Sequence, residues 1–130
     1  MDAYRDLLRE HGFGLPAIVP QVYLHYDPKT IRERLAADGK KLERQRMDFL
    51  LLLPRRQRVV VELDGKEHYS DRGDAKPARY AAMVREDRRL RLQGYEVYRF
   101  GGFEFVDLPA GEASARQFFN ELLRKHGAIE

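Results

Sequence analysis

Three carboxylates lie inside two stretches of the chain that otherwise have the composition of buried β-strands. Asp48 interrupts "RMDFLLLL" (46–53), and Glu62 and Asp64 interrupt "RVVVELDG" (58–65). An unpaired carboxylate in a protein interior is costly, so a stable fold has to provide a cationic partner, a raised pKa or a bound cation. Any structure for this sequence must therefore solve the placement of these three acids.

The hydrophobic pattern predicts helices and strands in alternation, with a hairpin at the centre of the chain. The predicted elements are a helix over 2–11 with Asp2 as N-cap, a strand over 18–26, a short helix over 30–40, hairpin strands over 43–54 and 58–65, a helix over 75–93 closed by Gly94, a strand over 95–100, and a final helix marked by Ala115, Phe118, Phe119, Leu122 and Leu123. This order predicts a three-layer α/β or α+β domain with a mixed sheet.

Length and composition set the class of protein. A chain of 130 residues, with 43% hydrophobic and 35% charged residues, has the size and balance of one globular domain, which we expect to span 1–130. Cysteine is absent, which excludes disulfides and thiolate zinc sites. The apolar runs are too short to span a membrane and the N-terminus lacks a signal-peptide core, so we expect a cytoplasmic protein without membrane contact.

Basic residues are concentrated in three segments although the net charge is only +3. The segments are "KKLERQR" (40–46), "RRQR" (55–58) and "REDRRLR" (85–91). Such clusters can contact a phosphate backbone, and they are equally compatible with solvated strand edges and helix faces. The candidate nucleic-acid contacts are Arg46, Arg55, Arg56, Arg58 and Arg88.

The three acids are predicted to converge at one edge of the sheet. Alternate side chains of a strand share a face, so Glu62 and Asp64 lie on the same side. If the hairpin register also brings Asp48 opposite them, their mutual repulsion calls for a cation. Hard divalent ions such as Mg²⁺ prefer oxygen ligands of this kind.

Two more groups follow the second strand closely. Gly65 permits a sharp turn that places Lys66 and His68 near the acids. Lys66 can offset charge on a scissile phosphate, and His68 can serve as a general base, a metal ligand or a phosphate contact. The combination indicates metal-assisted hydrolysis of a phosphodiester bond.

The motifs Arg46-x-Asp48-Phe49 and Glu62-x-Asp64-Gly65-x-x-His68, followed by "EDRRLRLQGYEVYRF" (86–100), resemble the PD-(D/E)XK nuclease superfamily. The nearest branch is similar to very-short-patch-repair endonucleases, and the resemblance covers roughly residues 1 to 106. It implies a restriction-endonuclease-like fold, with a central mixed sheet of about four strands flanked by helices. It also implies an Mg²⁺- or Mn²⁺-dependent endonuclease that hydrolyses phosphodiester bonds in DNA.

The resemblance further implies a set of metal ligands. Asp48 and Glu62 match the two ligating acids, and the main-chain carbonyl of Leu63 matches an additional ligand. Glu10 on the opening helix matches a helix-borne acid of the family. Asp64 is expected to add a direct or water-bridged contact to the ion.

One position departs from the family pattern, because Asp64 stands where a lysine is usual. The positive role then falls to Lys66 or His68, and if neither takes it the domain binds nucleic acid without cutting it. An RNase of the same fold is a further alternative, since nothing in the residues separates RNA from DNA. A homodimer and a longer multidomain protein are both compatible with the sequence.

Several of these residues also have purely structural interpretations. Asp48 can pair with Arg46, and Gln21 can either hydrogen-bond near the site or serve the first strand. Asp87 lies on the inward face of its predicted helix and needs a buried partner, for which Arg99 on the following strand is the candidate.

Overall fold

A computed structural model of the chain describes residues 1–23, 46–64, 70–71, 74–75 and 77–130, which contain three helices and six strands. The helices are α1 (Asp2–His11), α2 (Pro77–Leu92) and α3 (Leu108–Lys125). The strands are β1 (Ala17–Tyr23), β2 (Arg46–Leu52), β3 (Arg58–Asp64), β4 (Ser70–Asp71), β5 (Asp74–Ala75) and β6 (Tyr95–Gly101). The helix predicted over 30–40 lies outside the described residues.

Four of the strands form one mixed sheet in the order β1-β2-β3-β6. The β1–β2 and β2–β3 pairs are antiparallel, whereas β3 and β6 are parallel and α2 lies in the connection between them. Pro20 is accommodated because β1 is an edge strand of this sheet, where a missing N–H does little harm. The short strands β4 and β5 pair only with each other, and the hydrophobic pattern did not predict them.

The sheet carries helices on both faces. On one face Val59 and Val61 pack in a cluster with α1 and α3, which contribute Tyr4 and Phe119 among others. On the other face Val60 packs with Leu90 of α2. The predicted mixed α+β architecture, a sheet of four strands flanked by helices, is therefore confirmed.

Most helix ends agree with the sequence, and one does not. Gly94 follows α2 at φ 96°, a conformation that favours glycine, and it closes this helix as predicted. The prediction of Asp2 as N-cap is wrong, because Met1 is the N-cap and Asp2 lies inside the first turn of α1. There its carboxylate binds Arg5 at 2.7 Å and complements the positive end of the helix dipole.

The turn between β2 and β3 has an uncommon backbone. Pro54–Arg56 form a 3₁₀ turn, which is closed by the Leu53 N–H donating to the Gln57 carbonyl at 3.0 Å. Arg55 and Arg56 both have left-handed φ angles, 57° and 60°. This conformation costs a residue with a Cβ about 1–2 kcal/mol, so the turn is held against local preference by its surroundings.

Candidate metal centre

Where main-chain pairing between β2 and β3 stops, the side chains of Asp48 and Glu62 provide the hydrogen bonds that join the two strands. The last recorded pair of this ladder is Phe49 opposite Val61. Beyond it, the Leu63 N–H donates to Asp48 Oδ2 at 2.9 Å, and the Asp48 N–H donates to Glu62 Oε2 at 3.3 Å. Each acid therefore binds the other strand's main chain, which brings both carboxyl groups to the same point. We call these two residues the acid pair.

The backbone is irregular at the acid pair. Pairing between β1 and β2 runs through Pro20–Phe49 and Val22–Met47, which flank Asp48 and the opposing Gln21. Gln21 has a left-handed φ of 52°, which is uncommon for a residue with a side chain. Phe49 packs on the α1 and α3 side of the sheet while Met47 packs on the α2 side, although regular alternation would put both on one side. The regular alternation of side chains along β2 is therefore interrupted at Asp48.

The carboxyl group of Glu62 is in an environment that favours its neutral form. Its residue is 9% exposed. Burial, reinforced by a side-chain hydrogen bond with Asp48 and by the Asp48 charge, raises the pKa of Glu62 to about 8. At neutral pH without a cation, the raised pKa favours a protonated Glu62 carboxyl group that is hydrogen-bonded to Asp48.

This arrangement fits a divalent cation. A cation in place of this proton would offset the cost of burying a charged Glu62 carboxylate. It would also counter the repulsion between this carboxylate and Asp48. Mg²⁺ is commonly held by only one or two carboxylates, with water and phosphate oxygens filling its other positions. Within the described part of the chain, no group of three or more His, Asp or Glu side chains converges. Among the described residues, the acid pair would offer two carboxylates to such an ion.

Asp64 has a cationic partner, Arg99, that the sequence did not assign to it. It is buried, at 7% exposure, and accepts a hydrogen bond from Arg99 Nη1 at 2.6 Å. Arg99 also binds Asp87 of α2 in a fork, with Nε at 2.7 Å and Nη2 at 2.5 Å from the two carboxylate oxygens. The predicted Asp87–Arg99 pair is confirmed, and Asp64 completes a charge network of three residues. A direct contact of Asp64 with an ion stays a prediction.

Arg99 also acts on the acid pair. It lies opposite Glu62 in the parallel β3–β6 register, and its charge opposes the rise in the Glu62 pKa. Burial alone would lower the pKa of Arg99, but Asp87 and Asp64 outweigh burial and raise it. Three of its five N–H donors are engaged by these carboxylates, which leaves two. From the sequence, Arg99 was interpreted as a structural partner of Asp87. Its position opposite Glu62 follows from the β3–β6 register, which the sequence alone does not show.

Glu10 lies at the end of α1 and makes its contacts with another helix. Its carboxylate pairs with Arg116 of α3, and His11 Nε2 lies 3.9 Å from its other oxygen. Leu7, on the face of α1 that packs against the sheet, is fully buried. The described contacts do not join Glu10 to Asp48 or Glu62, and its role as an additional acid stays a prediction.

Lys66 and His68 lie outside the described residues, as do Gly65 and the basic residues 40–45. Their predicted roles, like those of the Arg46 side chain and the Leu63 carbonyl, stay predictions.

The other predicted nucleic-acid contacts are spread over the molecule. Arg55 and Arg56 lie in the turn before β3, and Arg58 begins this strand. Because a strand rises about 3.3 Å per residue, Arg58 lies about 13 Å along β3 from Glu62. Arg88 is exposed on α2. The arginines of the turn and the acid pair thus occupy opposite ends of one hairpin.

No helix in the described residues is long and apolar enough to cross a membrane. A scan against models of known protein families, a search of curated proteins and a search of solved structures all found no match to this chain.

Proposed function

We propose that this chain is a metal-dependent endonuclease that hydrolyses phosphodiester bonds in DNA, with Mg²⁺ or Mn²⁺ as cofactor. The observation that carries the proposal is the acid pair, two carboxyl groups hydrogen-bonded to each other at a distorted point of the sheet. Perturbed carboxyl groups cluster at functional sites because few structural needs justify their cost. The resemblance of the surrounding motifs to PD-(D/E)XK nucleases supplies the reaction class.

The chain's residues divide the work of this reaction. Asp48 and Glu62 hold the ion, for which Glu62 must release its proton. When bound, the ion supplies Lewis-acid polarisation of a phosphoryl oxygen and lowers the pKa of a water molecule. Arg99 keeps a positive charge beside Glu62, which favours the deprotonated, ligating form of this acid. Lys66 and His68 are the proposed groups for charge neutralisation and proton transfer.

Incubation of supercoiled plasmid and of a structured RNA with the protein tests this proposal. We expect nicking or linearisation of the plasmid in Mg²⁺ or Mn²⁺ and none in EDTA. Asp48→Asn is the matched control, since it removes a charge while leaving an oxygen that can accept from the Leu63 N–H. Cleavage by Asp48→Asn at the wild-type rate would contradict the proposed role of the acid pair, and cleavage of RNA alone would assign an RNase.

A domain that binds nucleic acid without cutting it is the second candidate. The observation that favours it is the charge network, because Asp64 is already neutralised by Arg99 and this position offers no positive group of its own. Wild-type protein that binds DNA but cleaves neither nucleic acid with any divalent ion would establish this candidate.

A further inference from the structure

A groove of about 440 Å³ lies between the β2–β3 turn and the end of α3. We call it the basic groove, and the residues that line it are Pro54, Arg55, Gln57, Arg124, Lys125, His126 and Gly127. The lining includes three permanent cations and a histidine, and among the described lining residues none is acidic. No local sequence pattern predicts this groove, because its two sides are separated by some seventy residues along the chain.

The charges in the basic groove are held in place to different degrees. Lys125 is held by two contacts with β6, in which Nζ donates to Glu96 Oε2 at 3.1 Å and to the Tyr98 hydroxyl at 3.2 Å. The other oxygen of Glu96 lies 3.1 Å from His126 Nε2. Glu96 therefore compensates much of the charge of Lys125, and the cations of the lining that have no side-chain carboxylate partner among the described residues are Arg55 and Arg124.

Arg55 and Arg124 keep donors for a ligand. Arg124 donates from Nε to the main-chain oxygen of Glu130 at 3.2 Å, which leaves the N–H groups of its two terminal nitrogens. Arg55 is exposed and has no carboxylate partner among the described residues. Its left-handed backbone, followed by the same conformation at Arg56, sets the direction in which the side chain leaves the turn. A concave surface with two guanidinium groups that keep N–H donors for a ligand is complementary to an anion with several phosphate oxygens.

We propose that the basic groove binds the phosphate backbone of duplex DNA, away from the acid pair. The choice of DNA rests on the proposed function, whereas the demand for phosphate comes from the guanidinium groups of the groove. Arg55 and Arg124 each contact one phosphate, and Lys125 adds a third, partly compensated charge. Contacts of this kind position the protein on the duplex without reading its sequence.

Binding of a fluorescently labelled duplex, measured without divalent ions over a range of salt concentrations, tests this proposal. Arg55→Gly and Arg124→Gln are expected to weaken binding several-fold at low salt. Each is also expected to reduce the slope of log affinity against log salt by about 1, since each phosphate contact releases close to one counterion. Glycine is chosen at position 55 because it accepts the left-handed backbone, so the fold is not put at risk.

Two control variants separate the basic groove from general positive charge. Arg9→Gln removes an exposed charge from α1, where Arg9 is paired with Asp6, and Arg9 does not line the groove. Arg5→Gln removes an exposed charge from α1, where Arg5 is paired with Asp2. We expect both controls to change the affinity and the salt slope less than Arg55→Gly does. Equal effects from the groove variants and these controls would overturn the proposal.

The remaining outcomes separate this proposal from the nuclease activity. Failure of the wild-type protein to bind the duplex without metal would overturn the groove proposal, as would competition by inorganic phosphate or a mononucleotide at affinities comparable to the duplex. A wild-type protein that cleaves DNA while Arg55→Gly and Arg124→Gln bind like wild type would leave the nuclease standing and remove the groove. Groove-dependent binding without cleavage in any divalent ion would do the opposite.

Discussion

The two ends of the β2–β3 hairpin depart from ordinary folding preferences in different ways. At the acid end, Asp48 and Glu62 bring two carboxyl groups together, and that of Glu62 is buried. At the basic end, Arg55 and Arg56 are exposed, and the departure is in their left-handed backbone. At the acid end, the unfavourable free energy is that of ionising a buried carboxyl group. At the basic end, it is that of holding two arginines in a left-handed main-chain conformation.

The difference teaches which condition relieves each end. A cation that replaced the proton would offset the repulsion between the two carboxylates, so the acid end should respond strongly to metal and to pH. The basic end has no carboxyl group among its described lining residues, and its charges are cationic. Its response should be to anions and to salt. In the proposed endonuclease the acid end would carry the chemistry and the basic end would hold the substrate, so the proposal predicts that the two ends respond to different solution conditions.

The largest expected effect concerns the acid end. Glu62→Gln should reduce DNA cleavage by roughly a thousandfold or more, because a ligand with a full negative charge is lost and metal catalysis depends on that charge. The amide resembles the protonated carboxyl group, so the metal-free stability at pH 7 should change little. Initial cleavage rates at saturating Mn²⁺ and thermal melts in EDTA measure the two quantities. A large loss of stability with unchanged cleavage would mark Glu62 as a structural residue.

The charge network should be the more structural part of the acid end. Arg99→Leu leaves the buried Asp64 and the half-buried Asp87 without their cation. Because removing one partner of a fully buried ion pair costs about 3–5 kcal/mol and this network is partly exposed, we expect a loss near the lower end of that range. Denaturant unfolding measures this loss. Arg99→Lys should recover only part of it, because an ammonium group does not reproduce the two-pronged contact with Asp87. An unfolding free energy within about 1 kcal/mol of wild type for Arg99→Leu would show that the network contributes little.

The stability of the metal-free protein should fall as the pH rises. The pKa of Glu62 is about 8 in the folded protein and near 4.5 unfolded, so between these values the folded state binds more protons. Stability from this group is therefore fully present below about pH 4.5 and is lost progressively up to about pH 8, by at most a few kcal/mol. The difference in melting temperature between wild type and Glu62→Gln, followed across this range, isolates the contribution. A difference independent of pH would contradict the raised pKa of Glu62.

The smallest effect is expected at the basic end. Arg56→Gly should leave the free energy of unfolding unchanged or raise it by up to about 1 kcal/mol, because relief of the left-handed conformation is partly offset by the greater freedom of glycine in the unfolded chain. Denaturant unfolding at fixed salt is the measurement. Marked destabilisation would show that the Arg56 side chain, and not only the backbone, supports the turn.

Local patterns in the sequence were enough to predict most of the regular structure. Helix α1 was predicted with its observed bounds, and the hairpin and the helix before Gly94 followed from apolar spacing and turn residues. Asp87 and Arg99 were paired correctly, because a buried acid on a helix face needs a cation from the adjacent element. These successes depend on interactions that are short in sequence or forced by burial.

The parts that could not be predicted depend on long-range placement. The irregular backbone at Gln21 follows from its position opposite Asp48, and nothing in the residue type indicates it. The recruitment of Asp64 by Arg99 requires the parallel register of β3 and β6. The basic groove arises only when the end of α3 is packed beside the turn. Each of these features joins segments that no local periodicity relates.

The central claim is that the acid pair exchanges a proton for a divalent cation. Isothermal titration of the metal-free protein with Mn²⁺ at pH 7, in two buffers of different ionisation enthalpy, measures the protons released per ion. Because burial raises the pKa of Glu62 to about 8, most of the metal-free protein carries this proton at pH 7, so wild type should release close to one proton per bound ion. Glu62→Gln should bind Mn²⁺ much more weakly and release none. Tight binding without proton release, or equal binding by Glu62→Gln, would contradict the account.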